Sequence, residues 1–143
     1  MLLIAATTFA PGLAEAATAA LTYCQYTSTG WFTAIEPGAA KYDLSVRICW
    51  SAGKFVSANK SVEPQHSEAF WTSWTWNGHP NPDAWGVWGN STQTLGHWAQ
   101  WKTCTIIFPI GQVCGPPHYT IKVSGTFKLV NNSLVSNLTW AHV

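Results

Sequence analysis

Between Phe70 and Trp101 the chain reads FWTSWTWNGHPNPDAWGVWGNSTQTLGHWAQW and carries seven of its ten tryptophans. No other stretch limits the fold so tightly. Each indole that packs removes roughly 150–250 Å² from water, so these rings either build the core or stand together as an adhesive face. Three of them exposed side by side would make a patch on the order of 500 Å², more than an inert monomer surface tolerates. The flanks of the stretch alternate as strands do. Phe70, Trp74 and Trp76 fall on one face with Trp71 on the other, and Leu95 to Phe108 is a long extended run with Trp98 and Trp101 on opposite faces. The middle is different. Asn77 to Asp83 holds two prolines, one glycine and three Asx residues in seven positions, which rules out regular structure there.

The rest of the chain supplies strands to pack against these rings. Tyr42, Leu44, Val46, Ile48 and Trp50 alternate with Asp43, Ser45, Arg47 and Cys49, the period of a half-buried strand. Ser51-Ala52-Gly53 joins it to a second extended run, Lys54–Val62, as a hairpin. Leu21–Thr33 is rich in Thr, Tyr, Trp and Phe, with a bend at Gly30. Glu36-Pro37-Gly38 and Gly115-Pro116-Pro117 read as turns or loops. His118–Val130 alternates clearly, with Gly125 on the apolar face at a bulge or beneath a large ring. Asn131-Asn132 turns the chain into Leu134–Trp140. No window of useful length has helical period. The expected fold is all-β, an antiparallel two-sheet β-sandwich, with a partly closed β-barrel as the alternative.

Residues 1–16 are set apart from this fold. Leu2–Leu13 is apolar and Ala14-Glu15-Ala16 fits a small-x-small cleavage site, so the segment is expected to be a secretory signal peptide. No Lys or Arg follows Met1, which implies a truncated n-region and a true start upstream. The uncharged run ends at Glu15, short of the ~20 residues a membrane span needs. Residues 17–143 then form a single domain. Only 9% of residues are charged, and the seven Lys and Arg are scattered singly. There is no basic stripe of the kind that nucleic acid or an anionic membrane calls for. Four cysteines agree with an oxidising compartment, and hence with a secreted protein. Three pairings exist; Cys24–Cys49 with Cys104–Cys114 is expected because it closes local loops. CxxC-type spacing is absent, so no zinc site is expected.

Catalytic motifs are missing: no HExxH, GxSxG, phosphate-binding glycine loop or Cys–His nucleophile pair occurs. The carboxylates available for a hydrolytic pair are Glu36, Asp43, Glu63, Glu68 and Asp83, and nothing in their spacing signals one. His79 with Asp83 is the best acid–base pair, though loop His and Asp residues are more often turn-formers. Glu63 to Glu68 gathers two carboxylates and His66, and reads as a solvated loop. No catalytic residue and no cofactor is assigned. Four N-x-S/T sequons, at Asn59, Asn90, Asn131 and Asn137, matter only in a glycosylating host.

The tryptophans are the sharper lead. A sugar ring offers an apolar C–H face and a rim of hydroxyls, which suits exposed aromatic planes set among Asn, Asp and His. The expected ligand site is Trp74, Trp76, Asn77, His79, Asp83, Trp85, Trp88 and Asn90. Trp50, Trp98 and Trp140 lie in strand patterns and are expected in the core. For Trp85 and Trp88, core and platform weigh evenly, because no strand pattern explains them. The expected function is a non-catalytic extracellular binding module for a neutral carbohydrate or cell-envelope polymer. The alternative is a secreted structural, surface or toxin-like protein acting through protein contacts, with Leu134–Trp140 as its edge. A small hydrolase or inhibitor, using a rigid loop such as Cys104–Cys114, stands third.

Overall fold

The computed structural model describes residues 19–35, 40–66 and 72–143. The expected signal peptide, the Glu36-Pro37-Gly38 turn and the side chains of Phe70 and Trp71 lie outside the described residues. The strands are β1 (Thr22–Ser28), β2 (Phe32–Ile35), β3 (Ala40–Tyr42), β4 (Leu44–Ser51), β5 (Lys54–Val62) and β6 (Gln65–His66). They continue with β7 (Thr72–Gly78), β8 (Ala84–Trp85), β9 (Thr92–Ile107), β10 (Gly111–Val130) and β11 (Ser133–His142). Among the described residues there is no helix, hence none long and apolar enough to cross a membrane.

Every strand pairing is antiparallel. One sheet runs β1-β4-β5, a second runs β11-β10-β9-β7 with β8 on β9, and a small third runs β2-β3-β6. The two larger sheets remain open and share a single hydrophobic cluster. Leu44, Val46, Ile48, Trp50 and Phe55 from one meet Leu95, Ala99, Trp101, Ile121, Val123 and Phe127 from the other. The architecture is therefore the sandwich and not the barrel. Burying a side chain of this kind contributes about 1.5–3 kcal/mol, so the inward positions of β4, β9 and β10 set the fold.

Several local expectations change. The run Tyr42–Trp50 is two strands, because Asp43 makes a corner. The Thr29 hydroxyl donates to Asp43 Oδ1 at 3.2 Å and accepts from the Leu44 amide at 2.9 Å, so Tyr42 belongs to the small sheet and Leu44 to the large one. Cys24 pairs directly with Cys49 in adjacent strands, so the bridge lies within the sheet. Cys104 likewise pairs with Cys114 across β9 and β10. Both bridges are as expected, and two disulfides in a small all-β chain fit an extracellular location. Gly115-Pro116-Pro117 is no loop: it is a register shift inside β10, where the Thr103 hydroxyl donates to the Gly115 carbonyl at 3.2 Å. Gln65–His66 is a strand on β3 rather than a solvated loop. Gly125 sits beneath the Phe127 ring, in unbroken register. Trp50 is core, whereas Trp98 is half-buried and Trp140 is 41% exposed, stacked on Phe32 at 4.4 Å. Both rings lie on strands that leave one face to solvent, which alternation alone does not reveal.

Two tight turns close the hairpins. Ala52 and Gly53 both take positive φ, 50° and 71°, between the paired Ser51 and Lys54. Asn131 and Asn132 do the same at 50° and 61°. That backbone matches the twist of the flanking strands but strains any residue with a Cβ, Asn least. Ala52→Asn is accordingly expected to stabilise the chain by roughly 0.5–1 kcal/mol, read as a higher urea midpoint at unchanged slope.

Candidate functional site

Strand β9 organises the polar chemistry. Its inward face reads Gln93, Leu95, His97, Ala99 and Trp101, so an amide and an imidazole stand where apolar groups are the rule. His97 is fully buried and sits at the centre of a hydrogen-bonded chain. Its Nδ1 lies 2.7 Å from Asp83 Oδ1 and its Nε2 lies 2.6 Å from the Tyr42 hydroxyl. Lys60 is ion-paired with Asp83 Oδ2, and its Nζ lies 3.3 Å from His97 Nδ1.

The protons follow from this geometry. A carboxylate only accepts, so Nδ1 carries the hydrogen and donates to Asp83; Nε2 then accepts from the Tyr42 hydroxyl. Lys60 cannot donate to a protonated Nδ1, and its proton goes to Asp83. Burial lowers the His97 pKa below the ordinary imidazole value, with the Asp83 hydrogen bond opposing and the Lys60 charge reinforcing. Burial alone would raise Asp83, but hydrogen bonds and charge from Lys60 and His97 outweigh it and hold the carboxyl below its usual range. Tyr42 is pushed above the usual phenol range by burial and then by the negative charges of Asp83 and Asp43. The result is a neutral imidazole between a carboxylate–ammonium pair and a neutral phenol. In form it is a relay like that of acyl-transfer enzymes, but Tyr42 is fully buried, so the relay ends in the core and reaches no substrate.

The eight expected ligand residues do not form one platform. Asp83 joins His97 and Lys60, not His79, whose Nδ1 donates to the Trp98 carbonyl at 2.8 Å. The His79 ring lies 4.7 Å from that of His97 and packs edge-on to Trp76. Trp76 in turn packs on Tyr42 and Trp101, and Asn77 donates to Gln100. Trp74 stands apart, edge-on to Tyr119. Trp85, Trp88 and Asn90 belong to the other end of β9. Trp85 pairs with Leu95 where Trp76 pairs with Trp101, six positions and roughly 20 Å further along the strand. Trp85 also lies in the short strand β8, not in irregular chain.

This second spot is built to stay in place. Trp85 stacks on buried Phe127 and carries Trp88, 38% exposed, with ring centroids 5.4 Å apart. Backbone bonds tie the loop to three strands: Gly89 N to Phe55 O, Phe55 N to Asn90 O, Gly86 N to Thr94 O and Leu129 N to Ser91 O. Beside it runs a groove of about 250 Å³ lined by Gly86, Val87, Asn90, Thr92, Gln93 and Thr94. A further groove of about 400 Å³, between Thr92–Thr94, Thr126–Lys128 and Val135–Asn137, shares the same strand segment. Gln93 lines both. Its Oε1 accepts from the Thr94 amide at 2.8 Å, while its Nε2 is buried with no hydrogen-bond partner. An orphaned buried donor costs on the order of 1–3 kcal/mol, and the Trp101 indole N–H further along β9 shares this state. A Cβ at Gly86 would collide with the Gln93 amide, so glycine there keeps the amide in its groove.

No family model, curated protein or solved structure matches the chain. The site therefore rests on its own geometry. Sequence reasoning missed Tyr42, Lys60, Gln93 and His97. The last two carry a visible signal, since they share the phase of Leu95, Ala99 and Trp101. Among the described residues no group of three His, Cys, Asp or Glu could hold a metal ion.

Proposed function

We propose that this chain is a secreted, non-catalytic binding module for a neutral carbohydrate, with residues 1–16 as its signal peptide. One observation carries the reading: an exposed indole on a pinned loop stands beside a groove holding an unpartnered buried amide donor. Trp88 offers a plane for the C–H face of a sugar. Gln93 lies under the groove, where a shift of its side chain would present the Nε2 hydrogen to a hydroxyl oxygen, and Asn90, Thr92 and Thr94 line the rest of the rim. The wall needs no charge, in keeping with an uncharged ligand. Trp74, Trp76, Asn77, His79 and Asp83 are assigned to packing and to the His97 network, not to the ligand.

Calorimetry and affinity electrophoresis against a panel of neutral polysaccharides test this. Trp88→Ala and Gln93→Met are each expected to weaken binding by roughly tenfold or more while leaving the chain folded. Full-strength binding by both folded variants, or no binding to any polysaccharide, would sink the proposal. A second reading, protein contact, draws on β11, which among the described residues pairs with β10 alone and exposes Val135 and Trp140. It expects self-association in size-exclusion chromatography and indifference to sugars.

A further inference from the structure

Beyond the Cys104–Cys114 bridge the β9–β10 hairpin continues as a bare, apolar finger. Ile107 pairs with Gly111, and Phe108 to Ile110 form the turn. Phe108 is 94% exposed, Ile110 76% and Ile106 67%, with Ile107 and Val113 a little under half. Folded chains do not leave such residues in water without an occupant for them. From Thr103 to Pro117 there is no charged residue at all. At about 3.3 Å per residue, the turn stands roughly 10 Å beyond the bridge.

We propose that this finger inserts into the surface of a lipid bilayer. Shape decides between lipid and protein. The cross-strand pair Thr105 and Val113 and the residue Ile107 share one face, Ile106 lies on the other opposite Gln112, and Phe108 caps the end, so each face and the tip present an apolar side chain. A protein groove covers one side of a hairpin; a fluid acyl phase surrounds all of it. The reach agrees as well, because interfacial elements bury themselves roughly 5–10 Å into the headgroup and acyl boundary. The cross-strand pair Lys102 and His118 lies just behind the bridge, at headgroup height, with Trp74 opposite Thr103 on the next strand. Charge complements this placement. From Ala84 to Val143 the chain has Lys102, Lys122 and Lys128 but no Asp or Glu, so the half that bears the finger is cationic and never repels an anionic headgroup. Three lysines make no basic stripe, and adhesion comes from the apolar turn; the charges add preference for anionic lipid. The bridge and the Thr103 hydroxyl bond to Gly115 keep the finger ordered before it inserts, so little freedom is lost on binding. The inference is independent of the carbohydrate reading.

Co-sedimentation of the full chain with vesicles tests it. One set is phosphatidylcholine alone and the other contains about 30% phosphatidylglycerol. The chain is expected to sediment with both, a few-fold more tightly with the second. Phe108→Asp/Ile110→Asp is expected to lower the affinity at least about tenfold, and Phe108→Ser/Ile110→Ser nearly as much, while Phe108→Leu retains it. Both double variants keep the wild-type circular dichroism, since the replaced side chains touch solvent. Failure to sediment with either vesicle overturns the proposal. So does binding to the anionic set alone that both double variants retain, which would be plain charge attraction. A dimer in size-exclusion chromatography that the double variants abolish, without vesicle binding, assigns the finger to a second copy and overturns it too.

Discussion

Asp83→Ala is expected to destabilise the chain by about 2 kcal/mol, mostly the cost of leaving the buried His97 N–H without its acceptor, since the ion pair to the exposed Lys60 contributes little. The loss has three parts. Lys60 is left without its carboxylate, the His97 Nδ1 proton is left without an acceptor, and the loop from His79 to Asp83 keeps the His79 bond to the Trp98 carbonyl but loses its second side-chain tie to β9. The same network gives stability a defined dependence on pH. His97 is held below its ordinary pKa in the folded chain, so the unfolded chain takes up a proton first as the pH falls through about 6.5. Stability is complete above that value and declines below it. Asp83, also held low, adds to the decline below about 4. Tyr42 has the opposite sign: its raised pKa keeps the folded phenol neutral while the unfolded one ionises, so stability falls above about 10. Denaturant titrations of wild type and Asp83→Ala, carried from below about pH 4 to above about pH 10, measure all of this. A variant within 0.5 kcal/mol of wild type, about the usual scatter of a surface change, would show that the network does not hold the fold.

The second large effect lies in the bridges. Replacing Cys24 and Cys49 together by alanine is expected to remove roughly 3–4 kcal/mol, and replacing Cys104 and Cys114 somewhat less than 3. The order follows from the closed loops, with sequence separations of 25 and 10 residues. It also follows from what each bridge holds. Cys24–Cys49 ties β1 to the sheet whose inner face is the core, and Tyr23 stacks on Trp50 beside it. Cys104–Cys114 lies where Thr103–Gly115 and Thr105–Val113 already pair on either side of it, next to the register shift in β10. Chemical denaturation of the two double variants should therefore rank them in this order; the reverse ranking would mean that the finger hairpin stabilises the whole fold.

Most of the fold was legible because period 2 is a strong signal where one face is buried. Leu44, Val46, Ile48 and Trp50 announced β4, and Ile121, Val123 and Phe127 announced the distal half of β10. Where local chemistry competes with the period, legibility ended. Asp43 looked like a solvent-facing strand residue, and only its bond to Thr29, a partner fourteen positions earlier, makes it a corner. Prolines 116 and 117 looked like a loop because proline donates to no ladder, yet a register shift accommodates both. The polar network was half legible. Asp83 was rightly singled out as a partner for a histidine. The histidine itself was misassigned, since nearness in sequence favoured His79 while sheet pairing delivers His97. Lys60 was illegible for the same reason, since Asp83 and His97 lie far along the chain; Gln93 showed only as a polar residue in the phase of Leu95 and Ala99.

The four backbone bonds around the Trp88 loop bear on how a ligand would be noticed. The loop is anchored to Phe55 in one sheet and to Thr94 and Leu129 in the other, so it cannot come loose while the sandwich stays closed. Occupancy is thereby linked to global unfolding rather than to local fraying. A compound bound there raises the melting temperature of the whole domain by mass action, at 100 times its Kd by the equivalent of about 2.7 kcal/mol. The fold itself would thus report any compound that binds there, and a library of unlabelled compounds can be sorted by heat alone.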